Sequence, residues 1–156
     1  MQTKRRSKLF AFLALWIIFV LIFPNNVCAV EADSASTRAS YYLTSYNCYV
    51  YNAAMGKIRV YFDVTGVNDM DDIGALTIRI YESTDNENWT WVKTFTNGDT
   101  PSILGHNTIY YSNYVEYKGT IGRYYKAYVT IWAGKNGGGD TRYMWTGSQK
   151  ATFFAG

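Results

Sequence analysis

Between Lys57 and Thr65 the apolar side chains occupy every second position: Ile58, Val60, Phe62 and Val64. The stretch GRYYKAYVTIWAG at residues 122–134 repeats the pattern, with Tyr125, Ala127, Val129 and Ile131 on one side. Tyr124, Lys126, Tyr128, Thr130 and Trp132 fall on the other. A period of two sends successive side chains to opposite faces of an extended chain, so each stretch predicts a strand with one buried face. Beyond the N-terminal segment, apolar residues nowhere hold helical i, i+3, i+4, i+7 spacing for three turns, and internal repeats are absent.

Seven stretches rich in Val, Ile, Thr and aromatics recur between turn signals: residues 41–51, 57–65, 75–82, 89–95, about 108–117, 122–134 and 141–153. The third is expected to turn Leu76, Ile78 and Ile80 inward. Between the last two lies the glycine-rich K-N-G-G-G-D, a hairpin loop, and Asn97-Gly98 marks another turn. Short, regularly spaced antiparallel strands predict an all-β fold, a two-layer β-sandwich of immunoglobulin or fibronectin type. Tyr125 follows Gly122 at the start of the sixth strand, where a tyrosine hydroxyl ties the corner of such sandwiches.

The N-terminus reads differently. Lys4, Arg5, Arg6 and Lys8 precede an unbroken apolar run of 15 residues from Leu9 to Phe23, which Pro24 ends. Small residues follow at Val27-Cys28-Ala29. This predicts a secretory signal peptide over residues 1–29, with cleavage after Ala29 or, alternatively, after Ala32. A bilayer-spanning helix takes roughly 20 apolar residues, more than this run supplies. Cys28 lacks the small residues of a lipobox before it. Residues 30–40 are expected to form a flexible leader and residues 41–156 one β-domain.

Cleavage removes the basic excess. Four of the 15 basic residues and none of the 12 acidic ones precede residue 30, so the 127 residues that follow carry 11 basic and 12 acidic groups, a net of −1. Charge alone therefore gives no ground for nucleic-acid binding or for an anionic membrane partner. Cys48 is then the sole cysteine, so no intramolecular disulfide can form. Sharing a face with Tyr46 and Val50, it is expected to be a small buried apolar residue rather than a link between chains.

The strand G-K-I-x-V-x-F-x-V-T-G at residues 56–66, the I-x-I-Y at 78–81 closing on W-x-x-V-K-T-F at 89–95, and G-x-x-Y-K-A-Y-V-T at 122–130 together carry a resemblance. With the signal peptide before them, they resemble an uncharacterised family of small secreted Gram-positive (Firmicutes, clostridial) β-sandwich proteins, a domain of unknown function. The resemblance covers roughly residues 40–154. It implies the fold and the extracellular compartment, and it brings no activity, cofactor or catalytic residue.

Catalytic motifs are missing. The only histidine, His106, lies in S-I-L-G-H-N-T with no nucleophile context near it, and is read as a solvated loop residue. One histidine and one buried cysteine cannot furnish the three or four protein ligands of a zinc site. No phosphate-binding glycine motif occurs. The expectation is a protein that is not an enzyme and takes no cofactor. Asp69, Asp71 and Asp72 in N-D-M-D-D form the best metal candidate, a calcium loop, against the plainer reading of a hydrated acidic turn. Their spacing is not that of an EF-hand, because the fifth position from Asp69 is Ile73. In S-T-D-N-E-N-W-T-W, Asp85 and Asn86 are expected to shape a turn. Asn88-Trp89-Thr90 matches a glycosylation acceptor that the bacterial resemblance implies is unmodified.

Aromatic residues are in excess. Residues 30–156 hold 15 tyrosines, four tryptophans and four phenylalanines, more than a small two-layer fold buries. In an immunoglobulin-like order the sixth strand lies between the third and the seventh. Tyr124, Tyr128 and Trp132 would then neighbour Tyr81, joined by Tyr143 and Trp145 if those face outward. Such a face is either a platform for a glycan, cell-wall polymer or protein ligand, or cross-strand bracing of the sheet. The expectation is a secreted, non-catalytic binding protein. A self-associating structural protein is the alternative, and an antibacterial or toxin-like protein the third reading. The A-T-F-F-A-G end, without sorting motif or apolar tail, is read as release from the cell.

Overall fold

The computed structural model describes residues 40–156; the expected signal peptide and nearly all of the leader lie outside them. The strands are β1 (Leu43–Asn52), β2 (Lys57–Ser83), β3 (Thr90–Thr96), β4 (Leu104–Lys118), β5 (Tyr124–Lys135), β6 (Gly138–Trp145) and β7 (Gln149–Lys150), with one 3-10 turn at Pro101–Ile103. No α-helix occurs among the described residues. All seven strands pair antiparallel within one sheet. The all-β expectation therefore holds, and the hydrogen bonding makes one curled sheet.

The count of seven hides two differences. The expected second and third strands are one strand, β2, 27 residues long. Its first half pairs with β1 on one side and the end of β4 on the other, Val60 facing both Val50 and Val115. Its second half pairs with β5 on one side and with β3 and the start of β4 on the other. The halves join at a wide bulge: β2 advances from Thr65 to Met70 while β4 moves only from Tyr110 to Thr108. Extra residues on one strand bend it sharply. The acidic segment is thus part of a strand and not a turn. Met70 and Ile73, interleaved with the aspartates, are buried in the core, each worth roughly 1.5–3 kcal/mol of burial. Backbone pairing on both sides of Asp72, to His106 and to Gly134, keeps the segment extended.

The expected seventh strand, conversely, is two. Thr146 breaks it by turning inward, its N–H donating to the Ala127 carbonyl and its hydroxyl accepting from the Ala127 N–H, both at 2.9 Å. A second bulge, at Leu76, shifts the parity of β2. Ala75 is fully buried and Leu76 only half, whereas Leu76 was expected inward. Elsewhere the alternation holds: Ile58, Val60, Phe62, Val64, Ile78, Ile80, Ala127, Val129 and Ile131 are buried in one cluster with Val50, Cys48 and Val115.

Tyr125 makes the tie expected of it. Its ring is fully buried, and its hydroxyl accepts the Thr120 N–H at 2.7 Å and donates to Glu82. Burial first, then the bond to the Glu82 carboxylate, pushes its pKa up to about 12. Gly119 makes room: a Cβ there would stand 2.7 Å from the Tyr125 Cζ. The β5–β6 hairpin closes through Asn136 and Gly137, both at positive φ, the geometry that suits a tight two-residue turn. That turn sets the register placing Tyr143 and Trp145 beside β5.

Candidate functional site

The outer face of the sheet's second half runs across β3, β2, β5 and β6. Its side chains stand in rows fixed by register. Thr94, Arg79, Tyr128 and Trp145 form one row, with Trp91, Tyr81 and Lys126 beside it. Thr96, Thr77, Thr130 and Tyr143 lie on the other side. Trp145 is the centre. Its ring lies 4.9 Å from Tyr128 and 5.1 Å from Tyr81, and Tyr128 stacks in turn on Tyr143 at 6.1 Å with planes 7° apart. The Lys126 ammonium sits between two indoles, 4.3 Å from Trp89 and 4.7 Å from Trp145. Tyr143 and Trp145 remain 63% and 51% exposed.

Beside this cluster an open groove of about 330 Å³ is lined by Arg79, Tyr81, Trp91 and Thr94. Arg79 is exposed and has no carboxylate within 4.0 Å among the described residues. The Trp91 indole N–H donates to the Thr94 hydroxyl at 3.0 Å, which fixes one wall. Thr77 and Thr130 are hydrogen-bonded to each other at 2.9 Å.

Of the six aromatics expected on this face, four meet: Tyr81, Tyr128, Tyr143 and Trp145. The other two lie at opposite ends of β5, eight residues and about 27 Å apart. Tyr124 sits under the Lys150 ammonium at 5.3 Å. Trp132 lies over Gly134 and Gly139, where a Cβ on Gly134 would come within 2.7 Å of the indole. Sequence reasoning missed Arg79, Trp91, Thr94 and Trp89. The outward parity of Arg79 between Ile78 and Ile80 was the available signal for the first.

It missed a second aromatic face entirely. On the outside of β1, the first half of β2 and β4, Tyr49, Tyr61 and Tyr114 are aligned by register. Tyr49 and Tyr61 stack at 5.1 Å and 11°, Tyr61 and Tyr114 lie 5.0 Å apart, and Tyr51 meets Tyr61 edge-on at 6.4 Å. Arg59 covers Tyr114 at 4.8 Å and binds Glu116 at 3.0 Å, while Lys57 binds the same carboxylate at 2.8 Å. Those two cations, Lys57 foremost, hold the Glu116 carboxyl below the usual carboxylate range.

The three aspartates do not converge. Alternation along β2 sends Asp71 and Asp72 to opposite sides. Asp71 accepts the Asn136 N–H at 2.7 Å and Asp72 bonds His106 at 2.7 Å, while Lys135 donates to the Asp69 carbonyl at 2.7 Å. No group of three metal-ligating side chains that could hold an ion occurs among the described residues. His106 belongs to β4, not to a loop, and is exposed. Cys48 is buried; burial, then the nearby Asp63 charge, pushes its thiol up to about 11. Asp85 shapes its turn as expected, accepting N–H bonds from Glu87 at 2.9 Å and Asn88 at 2.8 Å. The Asn88 side-chain amide, then those backbone donors, hold its carboxyl far below the usual range.

No helix among the described residues is long and apolar enough to cross a membrane. In comparisons with known proteins, no family model, curated protein or solved structure matches this chain.

Proposed function

We propose that this is a secreted, non-catalytic binding protein whose β3–β2–β5–β6 face takes a sugar polymer. The observation that carries the reading is the ring cluster of half-buried Tyr81 and Tyr128 with exposed Tyr143 and Trp145, running into the groove of Arg79 and Trp91. Flat amphipathic rings present apolar faces with polar edges, which suits the apolar faces of sugars and their hydroxyl rims. Contiguous exposed aromatic area of this kind marks interaction sites on monomeric proteins. The basic and apolar N-terminal segment supports export, and the resemblance to small secreted Gram-positive sandwich proteins supports the same compartment and an immunoglobulin-like sandwich arrangement.

The test is affinity electrophoresis of the protein through gels carrying soluble polysaccharides, together with a pull-down on bacterial cell wall. Retention that disappears on combining Tyr128→Ser with Trp145→Ala, in a variant that keeps the parent's circular dichroism, supports the reading. Light scattering on the same pair covers the alternative. A dimer that the double change converts to monomer would assign the face to self-association, and retention unaffected by the change would remove this face as the site.

A further inference from the structure

Resting on that reading, we infer that the polymer this face takes is negatively charged, and that Arg79 grips its anionic group. The inference comes from what the outward side chains have left to offer. None of the outward positions of β3, β2, β5 and β6 (the three register rows above) is Asp or Glu. A neutral sugar presents hydroxyls that donate as well as accept, so a site for it needs acceptors too. Here the side-chain acceptors are only neutral hydroxyls, some of them partly engaged: Thr77 donates to Thr130, and the Thr94 hydroxyl accepts from Trp91. The strong polar capacity that remains is donor capacity: the Arg79 guanidinium with five N–H groups, and the Lys126 ammonium held between Trp89 and Trp145.

Charge bookkeeping around the groove agrees. Nearby carboxylates are engaged elsewhere: Glu82 binds Arg123 at 2.5 Å and accepts the Tyr125 hydroxyl, and Asp85 is saturated by its own turn. Arg79 therefore faces solvent unneutralised, one position from Tyr81 and Trp91 on the groove wall. A planar guanidinium fork matches a carboxylate or phosphate with two parallel hydrogen bonds, which a lysine cannot do. Lys126 stands diagonally across from Arg79, roughly 7–8 Å away by sheet geometry. The pair can engage one anionic group or two in succession while the rings hold the sugar faces. Single-stranded nucleic acid fits less well. Its phosphates call for a cationic track, and this face has two cations on a chain whose residues 30–156 carry a net of −1.

The experiment is affinity electrophoresis of the full chain in four gels: polygalacturonate (carboxylate), poly(glycerol phosphate) (phosphodiester), hydroxyethylcellulose (neutral) and oligo-deoxythymidine. Each is run with the parent, Arg79→Gln and Arg79→Lys. Arg79 is exposed and unpaired, so both variants are expected to keep the parent's fold and melting temperature. The expected result is retention by at least one of the two anionic polymers, weakened about tenfold by Arg79→Gln and by less, about threefold, in Arg79→Lys. Which of the two retains it identifies the anionic group. Retention by hydroxyethylcellulose alone, or retention indifferent to Arg79→Gln, overturns the charge inference and leaves the sugar-binding reading standing. Preferential retention by oligo-deoxythymidine overturns both in favour of nucleic acid. No retention in any gel removes both.

Discussion

The two aromatic faces are built from the same residue types in the same period-two pattern, yet their groups are spent differently. On the face of β1, the first half of β2 and β4, every cation has a partner within the protein. Tyr49, Tyr61 and Tyr114 stack in line, Arg59 covers a ring, and both Arg59 and Lys57 close on Glu116. On the β3–β2–β5–β6 face the rings also touch, but Arg79 has no carboxylate partner among the described residues and Trp91 stands 58% exposed at a groove. Ring contact alone therefore does not distinguish a brace from a platform. Unsatisfied donors beside the rings do.

Four measurements test that contrast. The largest effect is expected in binding: Tyr128→Ser with Trp145→Ala removes the two central rings of the cluster, and the loss should be about 30-fold or more, the size of a binding hot spot. The matching pair on the other face, Tyr61→Ser with Tyr114→Ser, should leave retention unchanged. Equal loss from both pairs would break the comparison. Next is Tyr125→Phe, which keeps the buried ring and its contact with Tyr117 of β4 at 5.9 Å and removes only the hydroxyl tie to Thr120 and Glu82. Leaving the Thr120 N–H and Glu82 without the hydroxyl should cost about 1–3 kcal/mol in urea unfolding.

The same residue gives a pH signature. Its pKa is raised from 10.0 to about 12 in the folded state, so its contribution is complete below pH 10 and lost as pH rises toward 12. Circular dichroism across that range should show a destabilisation that Tyr125→Phe removes. Third, Tyr61→Ser with Tyr114→Ser should lower stability by about 1–2 kcal/mol through lost ring pairs. The thiol of Cys48 on the core side of β1 reports the same loosening, since native thiol labelling at pH 8 should be slow and should accelerate in this variant. Smallest is Glu116→Gln, at most about 1 kcal/mol because the pairs are partly exposed. The Glu116 carboxyl is depressed in the folded state, so this contribution is present above its unfolded pKa and fades as pH falls through the folded one. Arg79→Gln, by contrast, should change stability hardly at all.

The strands were legible because each carries its own period, and the cluster of Tyr81, Tyr128, Tyr143 and Trp145 because β5 does lie between β2 and β6. What was not legible depends on register. Tyr49, Tyr61 and Tyr114 sit far apart in sequence and become a row only when β1 and β4 flank β2, which no local pattern announces. The joining of two expected strands into β2 was hidden because an acidic segment reads as a turn until Met70 and Ile73 are seen to bury. Leu76 fell half-outside for a related reason, since the bulge between Ala75 and Thr77 takes it out of the alternation while Ile78 and Ile80 beyond it stay buried. The aspartates suggested a metal loop by composition, and extension of the chain separated them.

Strand β2, 27 residues of nearly continuous ladder, lies beneath both faces. The described β-domain consequently has no seam. A protease cut or a recombination crossover near Gly66 would not divide it into a brace and a binder, because each product would lack the strand that its remaining partners were built around. Tension arriving through a tethered ligand at one face is borne along the same backbone that supports the other. The two surfaces are thus free to diverge in side chains while being inherited, strained and unfolded as a single object.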